Sequence, residues 1–179
     1  MKHKNIIISI IIIVLFSSCS FINENEEKTS PIEHADLILN NAIYKVRLSQ
    51  DMEIEFTSRN IEFYNKKEKT LIEDVSFKVT DNDKVLIAEG SCKTINVDND
   101  NNNLELIDDV VIDIKNPSLI IKCDKIDWNN KDNLLNTDAD VNVVSEYGLF
   151  LGTGLSANLN TKYFEFKEIQ KGELYEETN

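Results

Sequence analysis

Positive charge, histidine, glycine and proline are all scarce in these 179 residues. Nineteen Lys and Arg stand against 32 Asp and Glu, a formal net charge of -13. That excludes a nucleic-acid binder, which needs a basic surface to displace phosphate counterions. Of the two His, only His34 lies beyond the first few residues, so His-rich metal sites and a Ser-His-Asp triad have no raw material. Without a clustered nucleophile and base, a secreted hydrolase is excluded too, and the chain is expected not to be an enzyme. No cofactor or metal is expected. What remains is a chain with 41% hydrophobic residues, enough for a core and too many for wholesale disorder. Its length fits one domain.

The first 22 residues read as an address. Lys2, His3 and Lys4 are basic, Ile6 to Phe16 is apolar apart from Ser9, and the small Ser17 and Ser18 precede Cys19. This is the shape of a secretory signal peptide. The small-residue-to-Cys step resembles a lipobox, the cleavage site of bacterial lipoproteins, with Phe16 where Leu, Val or Ile is usual. Cleavage would remove residues 1–18, leave Cys19 as the lipidation site, and take the charge from -13 to -15 by loss of Lys2 and Lys4. The competing reading is an uncleaved membrane helix. Its 17 residues from Ile6 to Ile22 span roughly 25 Å, against a hydrocarbon core of ~30 Å. Either way the domain is tethered outside the cytoplasm. Residues 19–34, polar and charged with Pro31 near the end, read as a flexible tether. The domain is expected over 35–170, with a tail at 171–179.

From Ala35 onward the period is two. Glu53 to Thr57, Val75 to Val79, Val110 to Ile114 and Tyr163 to Lys167 alternate apolar with polar. Turn clusters fall at Asn65 to Lys67, Asp81 to Asp83, Asp98 to Asn103, Asn116 to Ser118 and Asn129 to Asn133. Many short antiparallel strands are predicted, and no helix. Glu73-Asp74-Val75, Asp108-Asp109-Val110 and Ala139-Asp140-Val141 each read as a strand opening. Ile61, Ile95, Ile126 and Leu159 recur about every thirty residues, the mark of stacked supersecondary units. The predicted fold is all-β: an open β-jelly roll, or two-sheet sandwich, of stacked antiparallel hairpin repeats. A β-helix is the structural alternative.

The order of these units also resembles a known family. Ala35-Asp36-Leu37-Ile38-Leu39, Ser58 to Asn65, Leu71 to Val75, Leu134 to Val144 and Gly148 to Leu155 are similar in order and spacing to the LptC family, over roughly residues 35–169. The resemblance implies a periplasmic, membrane-anchored component of the lipopolysaccharide export bridge. It implies a β-jelly roll that holds lipid acyl chains and relays lipopolysaccharide, or a lipid A-type lipid. The implied partners are an inner-membrane ABC transporter of the Lpt type and an LptA-type jelly-roll bridge protein. A lipid anchor in place of the family's usual membrane helix leaves open which membrane holds the chain, although the implied role argues for the inner one. The competing class is an extracytoplasmic β-sandwich lipoprotein acting as a scaffold or adhesion module.

Lipid transfer asks for an apolar slot, in which each buried CH₂ contributes ~0.8 kcal/mol. The inward residues expected to line it are Ile54, Phe56, Phe63, Phe77, Val79, Ile87, Ile112, Ile114, Ile121, Trp128, Val143 and Phe150. An ordinary core would use the same residues. The acidic surface favours gripping chains and leaving headgroups in water; Arg47 and Arg59 are the only arginines, too few for a phosphate clamp. An open sheet edge can template a partner strand. The candidate edges are Ile43 to Leu48, with Val46, and Lys162 to Ile169, with Lys162, Phe164 and Phe166. Gly152 and Gly154 read as a bulge or close approach, with neither GxxxxGK nor a following helix to make a nucleotide loop. Cys92 and Cys123 are expected on neighbouring rungs, more as small core residues than as a disulfide. Asp98 to Asn103 lacks the Gly and Glu of a calcium loop and reads as a solvated hairpin turn. The acid pairs Asp108-Asp109 and Glu26-Glu27 cannot cooperate, because adjacent strand residues face opposite ways.

Overall fold

The structure, a computed structural model, describes residues 34–48 and 52–175. The expected signal peptide, Cys19 and most of the tether lie outside the described residues. Nine strands follow one another: β1 (Leu37–Arg47), β2 (Glu53–Tyr64), β3 (Lys69–Thr80), β4 (Leu86–Asp98), β5 (Asn103–Lys115), β6 (Ser118–Asn129), β7 (Leu134–Ser145), β8 (Gly148–Asn158) and β9 (Tyr163–Leu174). Each pairs antiparallel with its sequence neighbours, giving one sheet in the order β1 to β9. The only helical turn among the described residues is the 3-10 turn Asn65–Lys67. All five turn clusters read from the sequence lie between strands. β9 runs to Leu174, past the boundary expected at residue 170.

The strands are longer than predicted, 11 to 13 residues, because each runs straight through a bend. The pairing skips one or two residues at Asn41 against Arg59, Arg59 against Asp74, and Asp108-Asp109 against Asp124. The skips continue at Asp138-Ala139 against Gly154 and at Gly154 against Lys167. Asn41, Asp74, Asp108, Asp109 and Gly154 have positive φ there, a region that Asn, Asp and Gly enter most readily. The Glu73-Asp74-Val75 repeats therefore sit in mid-strand and mark the crease; they do not open strands. On one side of it inward residues include Ile61, Ile72, Ile95 and Leu106, on the other Val75, Phe77 and Val79. Ile61, Ile95 and Ile126 do occupy one position, the first inward residue past the crease. In β8 that position belongs to Leu155, which pairs with Phe166, and not to Leu159, which follows the strand.

The crease turns one sheet into two facing leaves. Tyr44 pairs with Phe56, seven residues from Phe63 along β2, or ~23 Å in a straight strand. Yet the Tyr44 and Phe63 rings are 5.4 Å apart, edge to face. Phe150 pairs with Gly172, and reaches the Phe166 ring six residues away at 6.4 Å. The two facing sheets expected from the sequence are thus halves of one continuous hydrogen-bonded sheet. No helix covers it among the described residues, so each leaf buries the other's inner face.

Candidate functional site

The inner faces are built of apolar rows that run across the strands. One row is Leu39–Ile61–Ile72–Ile95–Leu106–Ile126. Another, on the opposite leaf, is Tyr44–Phe56–Phe77–Gly90–Ile112–Ile121–Val143–Phe150. Period-two alternation puts one apolar side chain per strand into each row, and the antiparallel register lines them up. Gly90 interrupts the second row because the Phe77 ring fills its place: a Cβ there would lie 2.5 Å from Phe77 Cζ and 2.2 Å from the Val111 carbonyl.

All twelve residues expected to line a slot lie on or beside this interior. Ile54, Phe56, Phe77, Val79, Ile112, Ile114, Ile121, Trp128 and Val143 are buried in the central core; Phe63, Ile87 and Phe150 pack partly buried against it. The centre is filled. Where the leaf tips meet, Ile87, Ile114 and Leu119 face Ala157, Leu159 and Phe164 across a narrow cleft of about 40 Å³. Lys162 Nζ donates to Asn116 Oδ1 at 3.1 Å, linking the β8–β9 turn of one leaf to the β5–β6 turn of the other.

The rows run out at both edges. Leu37 on β1 is 50% exposed, and Ile169 and Leu174 on β9 are 56% and 75% exposed, although all three fall in inward rows through Phe63, Gly152 and Gly148. They are uncovered because, among the described residues, neither β1 nor β9 has a further neighbour. The edges are therefore unpaired and apolar, with Tyr44 and Phe63 across one end of the interior and Phe150, Phe164 and Phe166 across the other. Of the expected edge residues, Phe164 and Phe166 are on β9, Val46 is a buried residue of β1, and Lys162 is in the clasp. Ile169 closes the candidate edge read from the sequence, whereas Leu37 and Leu174 are not singled out there as edge residues; being apolar at an inward parity, each looks like core until the sheet is seen to stop.

The outer face is polar. A concavity of about 610 Å³ is lined by Lys69, Asn96, Glu105, Asp127 and Asn136, among others. Hydrogen bonds from Lys125 and Asn96 hold the Glu105 carboxyl below its ordinary range, and burial raises that of Asp127. Arg59 is engaged with Asp74 at 2.5 Å across the crease. Asp98 to Asn103 is a turn tied internally, with the Asp100 N–H donating to Asp98 Oδ1 at 3.0 Å and the Asn103 N–H to Asn101 Oδ1 at 2.8 Å. No group of three metal-ligating side chains occurs among the described residues. Cys92 and Cys123 are free and buried, on β4 and β6 with β5 between them. Two strand spacings, ~9.6 Å, exceed the reach of a disulfide, so the expectation of neighbouring rungs is corrected. Gly152 and Gly154 mark a close approach to β9: Cβ atoms there would lie 2.4 Å from the Glu168 carbonyl and 2.7 Å from Lys167 Cδ.

The family described as "Lipopolysaccharide-assembly, LptC-related" matches residues 6–176. No curated protein matches the sequence. Among solved structures, the chain resembles LptH of Pseudomonas aeruginosa, described as the LptA-homologous periplasmic component of the conserved lipopolysaccharide transport device. The TM-score is 0.53 at 13% identity, covering 69% of this chain and 94% of LptH.

Proposed function

The chain belongs to the LptC-related family of lipopolysaccharide assembly, and we propose from that premise that it is a membrane-anchored periplasmic relay. It takes lipopolysaccharide by its acyl chains from an inner-membrane ABC transporter and passes it to a jelly-roll bridge protein. The family's work is lipopolysaccharide transport, without catalysis. The observation that carries the reading is the pair of unpaired edges at which inward apolar rows emerge uncovered. A strand added to either edge satisfies its free N–H and C=O groups and extends the rows into the partner. The LptH-like fold supports a partner of similar shape. Cys19 supplies the anchor.

The closed centre sets how lipid is taken up. The leaves separate, and acyl CH₂ groups replace side-chain contacts of the same apolar kind, so the exchange is nearly balanced. Phosphates stay in water, since the surface is acidic and Arg59 is already paired. The filled core also suits the scaffold reading, and one experiment separates the two. A photo-reactive residue at Phe77 is expected to trap lipopolysaccharide in intact cells, and one at Ile169 a jelly-roll protein. Protein trapped at Ile169 with no lipid at Phe77 or any other interior position leaves the scaffold.

A further inference from the structure

Trp128 is 4% exposed, in an inward row between Leu104 and Leu135. Its Nε1 is buried and has no hydrogen-bond partner. An indole N–H is a donor only, so what it lacks is an acceptor. The buried hydroxyls do not supply one. Thr70 Oγ1 is bonded to Asn99 Oδ1 at 3.0 Å and also to Tyr44. Thr137 Oγ1 accepts from the Ala139 N–H at 3.0 Å. Ser58 Oγ lies 2.6 Å from the Glu73 carbonyl and accepts from the Asn60 N–H at 3.1 Å. Each of these hydroxyls serves the turn or crease beside it. An unpaired buried donor is costly to keep, and a phenylalanine in the same row would carry no such donor.

We propose that Trp128 Nε1–H is a polar anchor within the lipid slot, donating to an oxygen carried on a bound acyl chain. The acceptor class is a chain hydroxyl or an ester or amide carbonyl. The inference rests on the lipid-relay reading and deepens it: the slot selects oxygen-bearing chains over plain hydrocarbon ones. Trp128 lies between Leu104 and Leu135 in its row, so an oxygen at that depth has this N–H to meet, and a plain chain leaves it unpaired.

The test uses the full chain and two probes, 3-hydroxytetradecanoic acid and tetradecanoic acid, with affinities from calorimetry. The wild type is expected to favour the hydroxylated probe, relative to Trp128→Phe, by about three- to ten-fold, the factor one neutral hydrogen bond carries. Trp128→Phe is expected to lose less affinity for the plain probe than for the hydroxylated one, with circular dichroism showing that the variant is folded. An unchanged affinity ratio overturns the inference. If the wild type binds neither probe, the lipid-relay reading fails and the inference falls with it. Should Trp128→Phe not fold, the wild type alone decides: Trp128 is the chain's one tryptophan. Its indole Raman band is expected to show a new hydrogen bond with the hydroxylated probe and none with the plain one. The same spectrum with both overturns the inference.

Discussion

At the scale of single residues, the interior is specified by size and by what each group can bond. Gly90 is the clearest case, because its row would be continuous apolar side chains but for the Phe77 ring. Gly90→Ala is expected to destabilise the fold by about 1–3 kcal/mol, the usual cost of overpacking, seen as a lower urea midpoint. The two thiols behave differently. Burial pushes Cys92 up to about 12 and Cys123 up to about 11, from an ordinary value of 9.0. Between the ordinary and raised values the folded chain holds protons that the unfolded chain has lost. Stability is therefore full below about 9 and falls as pH rises through about 11 and 12. At pH 8 a maleimide is expected to label both cysteines much more slowly in the folded than in the urea-unfolded chain, read by mass spectrometry of their peptides.

At the scale of strands and turns, the sequence was legible wherever period and punctuation agree. The alternation of Val75, Phe77 and Val79, and turn clusters such as Asn116 to Ser118, needed only local physics. The crease was not legible, because Asp74 and Asp109 are as typical of a turn before a strand as of a left-handed bulge inside one. Only the cross-strand register separates the two. The charges along the crease follow the same line, with Arg59 on Asp74, Lys93 on Asp109 at 2.7 Å, and Lys167 on Asp138. These pairs are exposed and each contributes little; the backbone angle matters more. Asp74→Gly is expected to be nearly neutral. Asp74→Val, β-branched at φ 48°, is expected to cost about 1–2 kcal/mol, read from the denaturation midpoint. Equal losses from both would assign the effect to the Arg59 contact. The edges were legible as candidate strands only. Leu174 and Ile169 have the pattern of core residues, and their exposure depends on where pairing ends.

At the scale of the whole sheet, the central question is whether a closed interior can be a route for lipid. Among the described residues every strand's backbone pairs only with its sequence neighbours, so the leaves are joined through the crease and through side-chain contacts, with no backbone ladder between their tips. Separating the tips breaks apolar contacts and the Lys162–Asn116 hydrogen bond but leaves each leaf's strand pairing intact. That makes opening at the tips far less costly than unfolding, and an acyl chain taking the place of Leu159, Phe164 and Ile87 recovers most of the lost burial. The 40 Å³ cleft is then the closed state of the mouth. A short linker joining the Lys162 amine to a cysteine introduced by Asn116→Cys tests this directly. The linked chain is expected to stay folded, by an unchanged or raised melting temperature, and to lose uptake of lipopolysaccharide, while a reducible linker restores uptake once cut. Uptake that survives the link would mean that the leaves part elsewhere, at the β1 or β9 end where Phe63 and Phe150 are only half-buried.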